Sequence, residues 1–178
     1  MIIKKLSVAI ANHVVKEAPE HEDRVESIRY AIAYYLNVVP TIALIVTIGL
    51  ITDELPNMII ALTTFAIMRQ FTGGYHLKST EMCIVITVIV VTAISFSDYP
   101  KLIINILTLA SVLLIILFAP SRLEGKTRFP KKYFNHLRIT AILLAATNFI
   151  ILSPIISSAL LLQSLTLIRR LEKGGEAG

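Results

Sequence analysis

The feature that most constrains this chain is a succession of apolar runs separated by short charged loops. None of these runs contains Asp, Glu, Lys or Arg. Hydrophobic residues make up 55% of the chain and charged residues 16%, whereas about a quarter of a soluble domain is charged. The pattern predicts an all-α polytopic membrane protein with six apolar segments: Tyr30–Ile51, Pro56–Met68, Met82–Phe96, Leu102–Ala119, Ile139–Leu152 and Pro154–Ile168.

The lengths of these segments test the idea that each one crosses a membrane. A perpendicular helix needs about 20 apolar residues to cross the hydrocarbon. The first and fourth segments meet or approach that length, whereas the second, fifth and sixth are shorter. A short apolar segment can belong to a helix that continues into polar residues at its ends. Otherwise it enters and leaves the membrane on the same side, or it thins the bilayer locally. We predict about six transmembrane helices, and full crossing by the three short segments is left open by the sequence.

The distribution of Lys and Arg supports six crossings. If the N terminus lies inside, every Lys and Arg except Lys101 falls on the cytoplasmic side. Such asymmetry is what the positive-inside rule predicts. Both termini and the loop after the second segment are therefore expected to face the cytoplasm. The rule also accounts for the net charge of +5, so no nucleic-acid partner is predicted.

The N-terminal region differs from the apolar segments. Residues 1–29 begin with apolar side chains at helical spacing, accompanied by Lys and His. This pattern predicts an amphipathic helix lying on the membrane surface, and the alternative is a soluble helix packed on the protein's own loops. We expect one integral membrane domain over residues 1–178, with the amphipathic segment at the cytoplasmic face, six spans over residues 30–168 and a cytoplasmic tail over residues 169–178.

The stretch between the second and third segments carries the residues best suited to chemistry: Arg69, Gly73, Gly74, His76 and Cys83. Cys83 is the single cysteine. A cysteine attacks as a thiolate, and a nearby histidine can take its proton. In a continuous helix, seven residues would separate His76 and Cys83 by about 10 Å along the axis, which is too far for a hydrogen bond. A catalytic pair therefore requires a break in the helix.

The sequence supplies signals for such a break. The two glycines permit a turn, and Ser79 or Thr80 is a suitable helix N-cap. We predict that the third helix begins near Thr80 and holds Cys83 in its first turn, where the positive end of the helix dipole favours a thiolate. Glu81 is the nearest acid, but on such a helix it points away from Cys83, so a dyad without a third member is predicted.

Each of these residues also has a simpler interpretation. A lone cysteine in a membrane span is usually a small hydrophobic residue, and a Gly-Gly pair usually marks a turn. Arg69 can anchor a helix end at the interface. One cysteine and scattered histidines do not form a closed zinc site, so neither a metal nor a cofactor is predicted.

Taken together, the stretch resembles the signature of the accessory gene regulator B family, which are bacterial membrane peptidases that process quorum-sensing propeptides. The family pattern is an Arg, a Gly-Gly, a His shortly after and a Cys seven residues beyond it. Arg69, Gly73-Gly74, His76 and Cys83 match this pattern. The chain size, the six segments and the loop over residues 119–130, with its two prolines and basic residues, are similar to the family as well.

The resemblance implies a cysteine endopeptidase in the bacterial cytoplasmic membrane, with its catalytic loop on the cytoplasmic side. Its substrate would be a small precursor peptide with an amphipathic leader, a signal segment and an acidic C-terminal tail. Cys83 would cut between signal and tail and hold the signal as a thioester. An internal thiol or hydroxyl of the peptide would then close a thiolactone or lactone ring. The family also makes a homodimer within membrane lipid an expectation.

The resemblance assigns roles to the other residues of the pattern. His76 would be the general base and then the general acid. Gly73 and Gly74 either bring backbone N–H groups to the oxyanion or only bend the loop, and Arg69 either binds a substrate carboxylate or holds the loop. The basic loop either steers the acidic tail or serves only to fix topology, and its residues are Arg122, Lys126, Arg128, Lys131 and Lys132.

Two other classes of function compete with the peptidase. A small peptide transporter is one, although the central parts of the six segments lack the intramembrane charges that usually mark a transporter. A non-enzymatic membrane scaffold is the other, although the chain has no GxxxG-type motif to define a contact face.

Overall fold

The structure is a computed structural model that describes residues 2–17, 24–74, 79–121 and 133–168. Over these residues it contains helices and no strand. The predicted all-α class is therefore confirmed. The helices are α1 (Ile2–Glu17), α2 (Val25–Ile51), α3 (Leu55–Thr72), α4 (Thr80–Ser95), α5 (Lys101–Phe118), α6 (Phe134–Ala146), α7 (Asn148–Ile151) and α8 (Pro154–Leu165).

Within the described ranges, three helices are long and apolar enough to cross a membrane. They are Val25–Ile51, Lys101–Phe118 and the combined Phe134–Ile151, in which only Thr147 separates α6 from α7. Helices α4 and α8 are apolar but shorter. Helix α3 has 18 residues, but polar residues occupy both of its ends. A crossing by all six apolar segments stays a prediction.

The outward-facing side chains of these helices are apolar. Ile150 is 86% exposed, and Leu102 and Leu117 are each 71% exposed. Large exposed apolar surfaces are rare on monomeric proteins in water. The distribution instead fits a hydrocarbon surrounding, in which such side chains carry no hydration cost.

The helices extend beyond the apolar runs from which they were predicted. Helix α2 begins at Val25, α6 at Phe134, and α3 continues to Thr72. The fifth segment, expected to be short, reaches 18 residues because its polar N-terminal end is helical. The chain turns between α7 and α8: Leu152 has a positive φ of 55°, and Pro154 opens α8.

The described chain falls into two compact units, and the first is built on α1 and α2. It takes in the described residues of Met1–Leu55 and His76–Thr92. Helix α1 packs along α2, and it buries Ser7 and Ala11, which lie one turn apart. The predicted N-terminal helix is thus confirmed, while its position on a membrane surface stays a prediction.

The second unit takes in the described residues of Pro56–Tyr75 and Ala93–Gly178. Helix α5 packs against α8 and α6. Small residues such as Ala141, Ala145 and Ala159 are fully buried, which lets helix backbones approach closely. The apolar core of this unit consists of Met68, Ile115, Ala119, Ala141, Ala145, Leu160 and Leu167.

A buried amide organises the turn between α7 and α8. Asn148, which is 0% exposed, donates from Nδ2 to Thr108 Oγ1 at 2.9 Å and to the Ser153 carbonyl at 3.2 Å. Its Oδ1 accepts from Ser153 N at 3.1 Å. These bonds connect α5 to the turn and satisfy the backbone N–H and carbonyl of Ser153.

The turn between α2 and α3 depends on a glycine. A Cβ added to Gly49 would lie 2.8 Å from Leu55 Cα. The Gly49 carbonyl also accepts from Glu54 N at 3.0 Å. The turn therefore brings the backbone of Leu55 close to the backbone of Gly49. A backbone atom cannot move aside as the end of a flexible side chain could.

We expect Gly49→Ala to lower the free energy of unfolding by about 1–3 kcal/mol because of this overlap. An alanine in place of a helical glycine would otherwise stabilise a helix by about 1 kcal/mol. Thermal unfolding in detergent measures the change. Ala43→Val is the control, since it adds volume on the exposed face of the same helix. A Gly49→Ala protein as stable as the wild type would contradict the close approach.

Candidate active site

The chain leaves α3 through a short, buried backbone pairing. Gly74 N donates to the Ser121 carbonyl at 3.0 Å, and Ser121 N donates to the Thr72 carbonyl at 2.9 Å. Thr72, Gly73, Gly74 and Ser121 form what we call the diglycine bridge. Thr72 is 0% exposed and Ser121 is 1% exposed. The bridge provides hydrogen-bond partners for backbone groups that the end of a helix leaves unpaired.

The two glycines are required by backbone conformation. Gly73 has a φ of 73° and Gly74 a φ of 123°, values that side chains with a Cβ rarely adopt. At Gly74 space is also lacking, because an added Cβ would lie 2.5 Å from Thr166 Oγ1. The predicted break in the helix is therefore present, and it occurs at the predicted glycines.

The residues that surround the diglycine bridge were not predicted from the sequence. Gln163 on α8 donates from Nε2 to the Gly73 carbonyl at 2.7 Å and to Thr72 Oγ1 at 3.1 Å. Thr166 covers Gly74. The one sequence feature that could have pointed to Gln163 is its polarity, because it interrupts the apolar run Pro154–Ile168.

Arg69 lies in the last turn of α3 and is half-buried. Its Cζ lies 5.8 Å from the centroid of the Phe65 ring, a distance at which a guanidinium is attracted to an aromatic face. Its carbonyl accepts from Gly73 N at 2.9 Å. Arg69 is therefore close to the diglycine bridge in sequence and is joined to it by a backbone hydrogen bond.

Cys83 lies where the sequence predicted, at the end of the first turn of α4. The helix begins at Thr80. Ser79 acts as the N-cap, since its Oγ accepts from Met82 N at 3.5 Å. Cys83 N donates to the Ser79 carbonyl at 3.1 Å. The cysteine is a free, half-buried thiol.

The Glu81 carboxylate accepts hydrogen bonds near the start of α4. Its carboxylate accepts from Ser79 Oγ at 2.7 Å and from Ile3 N at 3.0 Å. The Ser79 hydroxyl first, and then the backbone N–H groups of Glu81 and Ile3, hold the pKa of the Glu81 carboxyl below its ordinary value. Glu81 thus ties the start of α1 to the start of α4.

The predicted site residues are distributed over both units and beyond the described residues. Cys83 belongs to the first unit, whereas Arg69, Gly73 and Gly74 belong to the second. Among the described residues, no group of three His, Cys, Asp or Glu could hold a metal ion. The predictions that lie outside the described residues are His76, Arg122, Lys126, Arg128, Lys131 and Lys132.

Comparison with known proteins identifies the family. The model of the family described as accessory gene regulator B, AgrB, matches residues 7–168. The chain belongs to the AgrB family. Its match covers α2 to α8 and most of α1, and thus both the diglycine bridge and Cys83. An AgrB assignment also supports the membrane interpretation of the three long apolar helices.

Curated relatives carry names that say only that they are AgrB-like. One from Lactiplantibacillus plantarum is 27% identical over 99% of this chain and 94% of its own length. One from Halalkalibacterium halodurans is 27% identical over 98 residues, which make up 55% of this chain and 50% of that protein. One from Clostridium perfringens is 27% identical over 53% of this chain and 44% of its own length. No solved structure matches the chain.

We expect Gly74→Ala to be much more damaging than Gly73→Asn. Asparagine tolerates the left-handed conformation near the φ of Gly73, whereas Gly74→Ala adds an overlap with Thr166 to backbone strain of about 1–3 kcal/mol. Thermal unfolding of the purified variants checks the order. Gly74→Ala combined with Thr166→Ala should recover stability only in part, and full recovery would mean that the overlap alone matters.

The lowered pKa of Glu81 leads to a pH-dependent contribution to stability. A carboxyl whose folded-state pKa is depressed stabilises the fold above its unfolded pKa and loses that effect as pH falls through the folded pKa. The two values are 4.5 and about 2. Glu81→Gln should therefore lower the melting temperature by a constant amount above pH 4.5, and the difference should shrink below it.

Thermal unfolding of both proteins across that pH range tests the role of Glu81. Glu26→Gln is the matched control, because Glu26 pairs with Arg29 three residues away and its side chain is 71% exposed. Such a surface pair contributes little to stability. A pH-independent difference for Glu81→Gln would exclude the ionised carboxylate as its cause.

Proposed function

We propose that this protein is a membrane-embedded cysteine endopeptidase that removes the C-terminal tail of a quorum-sensing precursor peptide and cyclises the remaining segment. The observation that carries the proposal is the position of Cys83. Cys83 is a free thiol in the first turn of a capped helix, and this helix follows the interruption between α3 and α4. Such a position suits a nucleophile held at the end of a span. AgrB family membership is consistent with this role.

The proposed reaction begins with proton transfer. His76 takes the proton from the Cys83 thiol, and the sulfur attacks the carbonyl carbon of the bond between signal and tail. The C–N bond then breaks, and His76 returns the proton to the leaving amine of the tail. The signal segment remains joined to Cys83 as a thioester.

Cyclisation follows from attack on that thioester. An internal cysteine thiol or serine hydroxyl of the peptide adds to the carbonyl carbon, and the Cys83 thiolate leaves. His76 takes the proton of the attacking group and passes it to Cys83. The product is a thiolactone or lactone that still carries the leader. Because water would hydrolyse the thioester, the proposal requires a site that excludes water and holds the two ends together.

The described geometry refines the roles of the two glycines. Gly73 N–H donates to the Arg69 carbonyl, and Gly74 N–H donates to the Ser121 carbonyl. Because both donors are already occupied, we assign the glycines to bending the chain rather than to binding the oxyanion. Arg69 is proposed to hold this bend or to bind a substrate carboxylate.

The proposal places the site on the cytoplasmic face, where the Lys and Arg residues are expected. The substrate is a precursor with an amphipathic leader, which suits a membrane surface, and with an acidic tail. The basic residues that would attract this tail by electrostatic steering are Arg122, Lys126, Arg128, Lys131 and Lys132. The proposed assembly is a homodimer in lipid, and the reaction uses no metal or cofactor.

The proposal is tested with purified protein in lipid vesicles and the precursor peptide encoded at the same locus. Mass spectrometry should detect the released tail and a peptide adduct on Cys83 with the wild type, followed by a leader–signal product that is one water lighter than the linear leader–signal acid. Cys83→Ala should release no tail. His76→Ala should slow release by about 100- to 10,000-fold, the usual contribution of a general base.

Two histidines elsewhere supply matched controls. His13 and His136 are exposed, so His13→Ala and His136→Ala should leave tail release unchanged. Cleavage by Cys83→Ala at the wild-type rate would return Cys83 to a packing role. Failure of the wild type to cleave a confirmed cognate peptide would favour a peptide transporter or a membrane scaffold instead.

A further inference from the structure

The Glu81 carboxylate joins the starts of two helices within the first unit. Its Oε2 accepts from Ser79 Oγ at 2.7 Å, at the start of α4. Its Oε1 accepts from Ile3 N at 3.0 Å, at the start of α1. The Ile3 N–H is one of the four at the beginning of a helix that have no partner within it. One side chain therefore supplies bonds that neither helix can make by itself.

Ser79 is the residue through which this carboxylate reaches the candidate nucleophile. The Ser79 hydroxyl donates to Glu81 and accepts from Met82 N at 3.5 Å. The Ser79 carbonyl accepts from Cys83 N at 3.1 Å. The orientation of Ser79 therefore sets two of the backbone bonds in the first turn of α4, and Cys83 makes one of them.

Apolar packing by itself does not fix this turn. Ile84, Val88 and Val91 of α4 are buried, and they determine which face of the helix points inward. Apolar contact is non-directional, however, and the ends of helices fray unless a side chain binds their unpaired N–H groups. Ser79 binds such a group in α4, and Glu81 holds the Ser79 hydroxyl in turn.

The helix to which this carboxylate is anchored is itself held in place. Helix α1 packs along α2 and buries Ser7 and Ala11. Small residues at such positions let two helix backbones approach closely. The positive end of the α1 dipole also favours a carboxylate at its N terminus. The first turn of α1 is therefore a fixed point against which Glu81 can hold Ser79.

We propose that Glu81 is a positioning residue: its carboxylate holds the N-cap of α4 against the first turn of α1 and thereby fixes Cys83. This inference rests on the proposed function of Cys83 as the nucleophile. Glu81 does not touch the reacting atoms, since side chains two positions apart on a helix do not face each other. It acts through Ser79 and the backbone, so α1 belongs to the framework of the active site.

Two substitutions separate the reach of this side chain from its charge. Glu81→Gln keeps the reach, because its Oε1 can accept from Ile3 N and its Nε2 can donate to Ser79 Oγ. A hydroxyl oxygen has two lone pairs, so Ser79 can still accept from Met82 N as well. Glu81→Asp keeps the charge but is shorter by one CH2 group, so it cannot span both partners.

Tail release by these two variants tests the proposal. Displacement of a catalytic group by about 1 Å can slow a reaction about 100-fold. Glu81→Asp should therefore lower kcat by about 100-fold with KM little changed, and Glu81→Gln should retain most of the wild-type kcat. Each variant is assayed in lipid vesicles at a temperature where thermal unfolding shows it folded. Glu26→Asp is the matched control and should leave kcat unchanged, because the Glu26 side chain is 71% exposed on α2.

The contribution of α1 is tested through its own backbone. Ile3→Pro removes the N–H that Glu81 accepts, and the first turn of a helix tolerates proline because its N–H groups have no helical partner. Ile3→Ala is the control, since it shortens the side chain and keeps the N–H. Ile3→Pro should lower kcat as Glu81→Asp does, and Ile3→Ala should stay near the wild-type value. Equal kcat in the two Ile3 variants would exclude α1 as the anchor and overturn the proposal.

A further measurement needs no substrate. Amide hydrogen exchange, followed by mass spectrometry, reports on the N–H groups of Met82 and Cys83. Glu81→Asp and Ile3→Pro should each raise the exchange rate of residues 79–84 by about 10-fold, the effect of losing one hydrogen bond. The middle of α5 should exchange as in the wild type, because the change is confined to one turn of the first unit.

The outcomes separate this inference from the proposed function. Wild-type kcat and wild-type exchange in Glu81→Asp would overturn the positioning role. A loss of kcat in Glu81→Gln as large as in Glu81→Asp would mean that reach does not decide the effect, and faster exchange in α5 would reduce the effect to general stability. Either result would overturn the role as well. If the wild type releases no tail, the peptidase proposal fails, and hydrogen exchange alone decides whether Glu81 holds the turn of Cys83.

Discussion

Hydrogen bonding of backbone groups in places that water cannot reach is the constraint on which this structure depends. Helices satisfy these groups along their length but not at their ends, and hydrocarbon supplies no partner. At two buried irregular points of the second unit a side-chain amide provides the missing bonds. Asn148 does so at the turn before α8, and Gln163 does so at the end of α3. The interior of this unit is therefore specified by polar contacts as much as by its apolar core.

The sequence predicts the order and type of the helices because each apolar run is bounded by charges, prolines or glycines. It predicts their lengths less well. Hydropathy marks the apolar centre of a helix, whereas α2 and α6 begin among polar residues at Val25 and Phe134. Where a helix begins depends on capping and on local hydrogen bonds. Those depend on neighbouring backbone geometry, which a pattern of hydrophobicity does not contain.

The same distinction applies to the candidate site. The break after α3 and the start of α4 were predictable, because Gly73, Gly74 and Ser79 act on the chain next to them. The contacts of Gln163, Ser121 and Thr166 were not, since they join residues far apart in sequence and depend on how α8 packs. Polarity inside an apolar run marks such a residue as unusual, but it does not name its partner.

The bond between Ile3 N and the Glu81 carboxylate joins residues 78 positions apart. Because a chain is synthesised from its N terminus at ~5–20 residues per second, roughly 4 to 16 seconds separate the appearance of these two groups. Once α2 has been made, α1 has a packing partner, but it still lacks the carboxylate that fixes its first turn. The N-terminal helix is therefore completed late, when the helix that carries Cys83 is made, so assembly of the first unit and arrival of the nucleophile coincide.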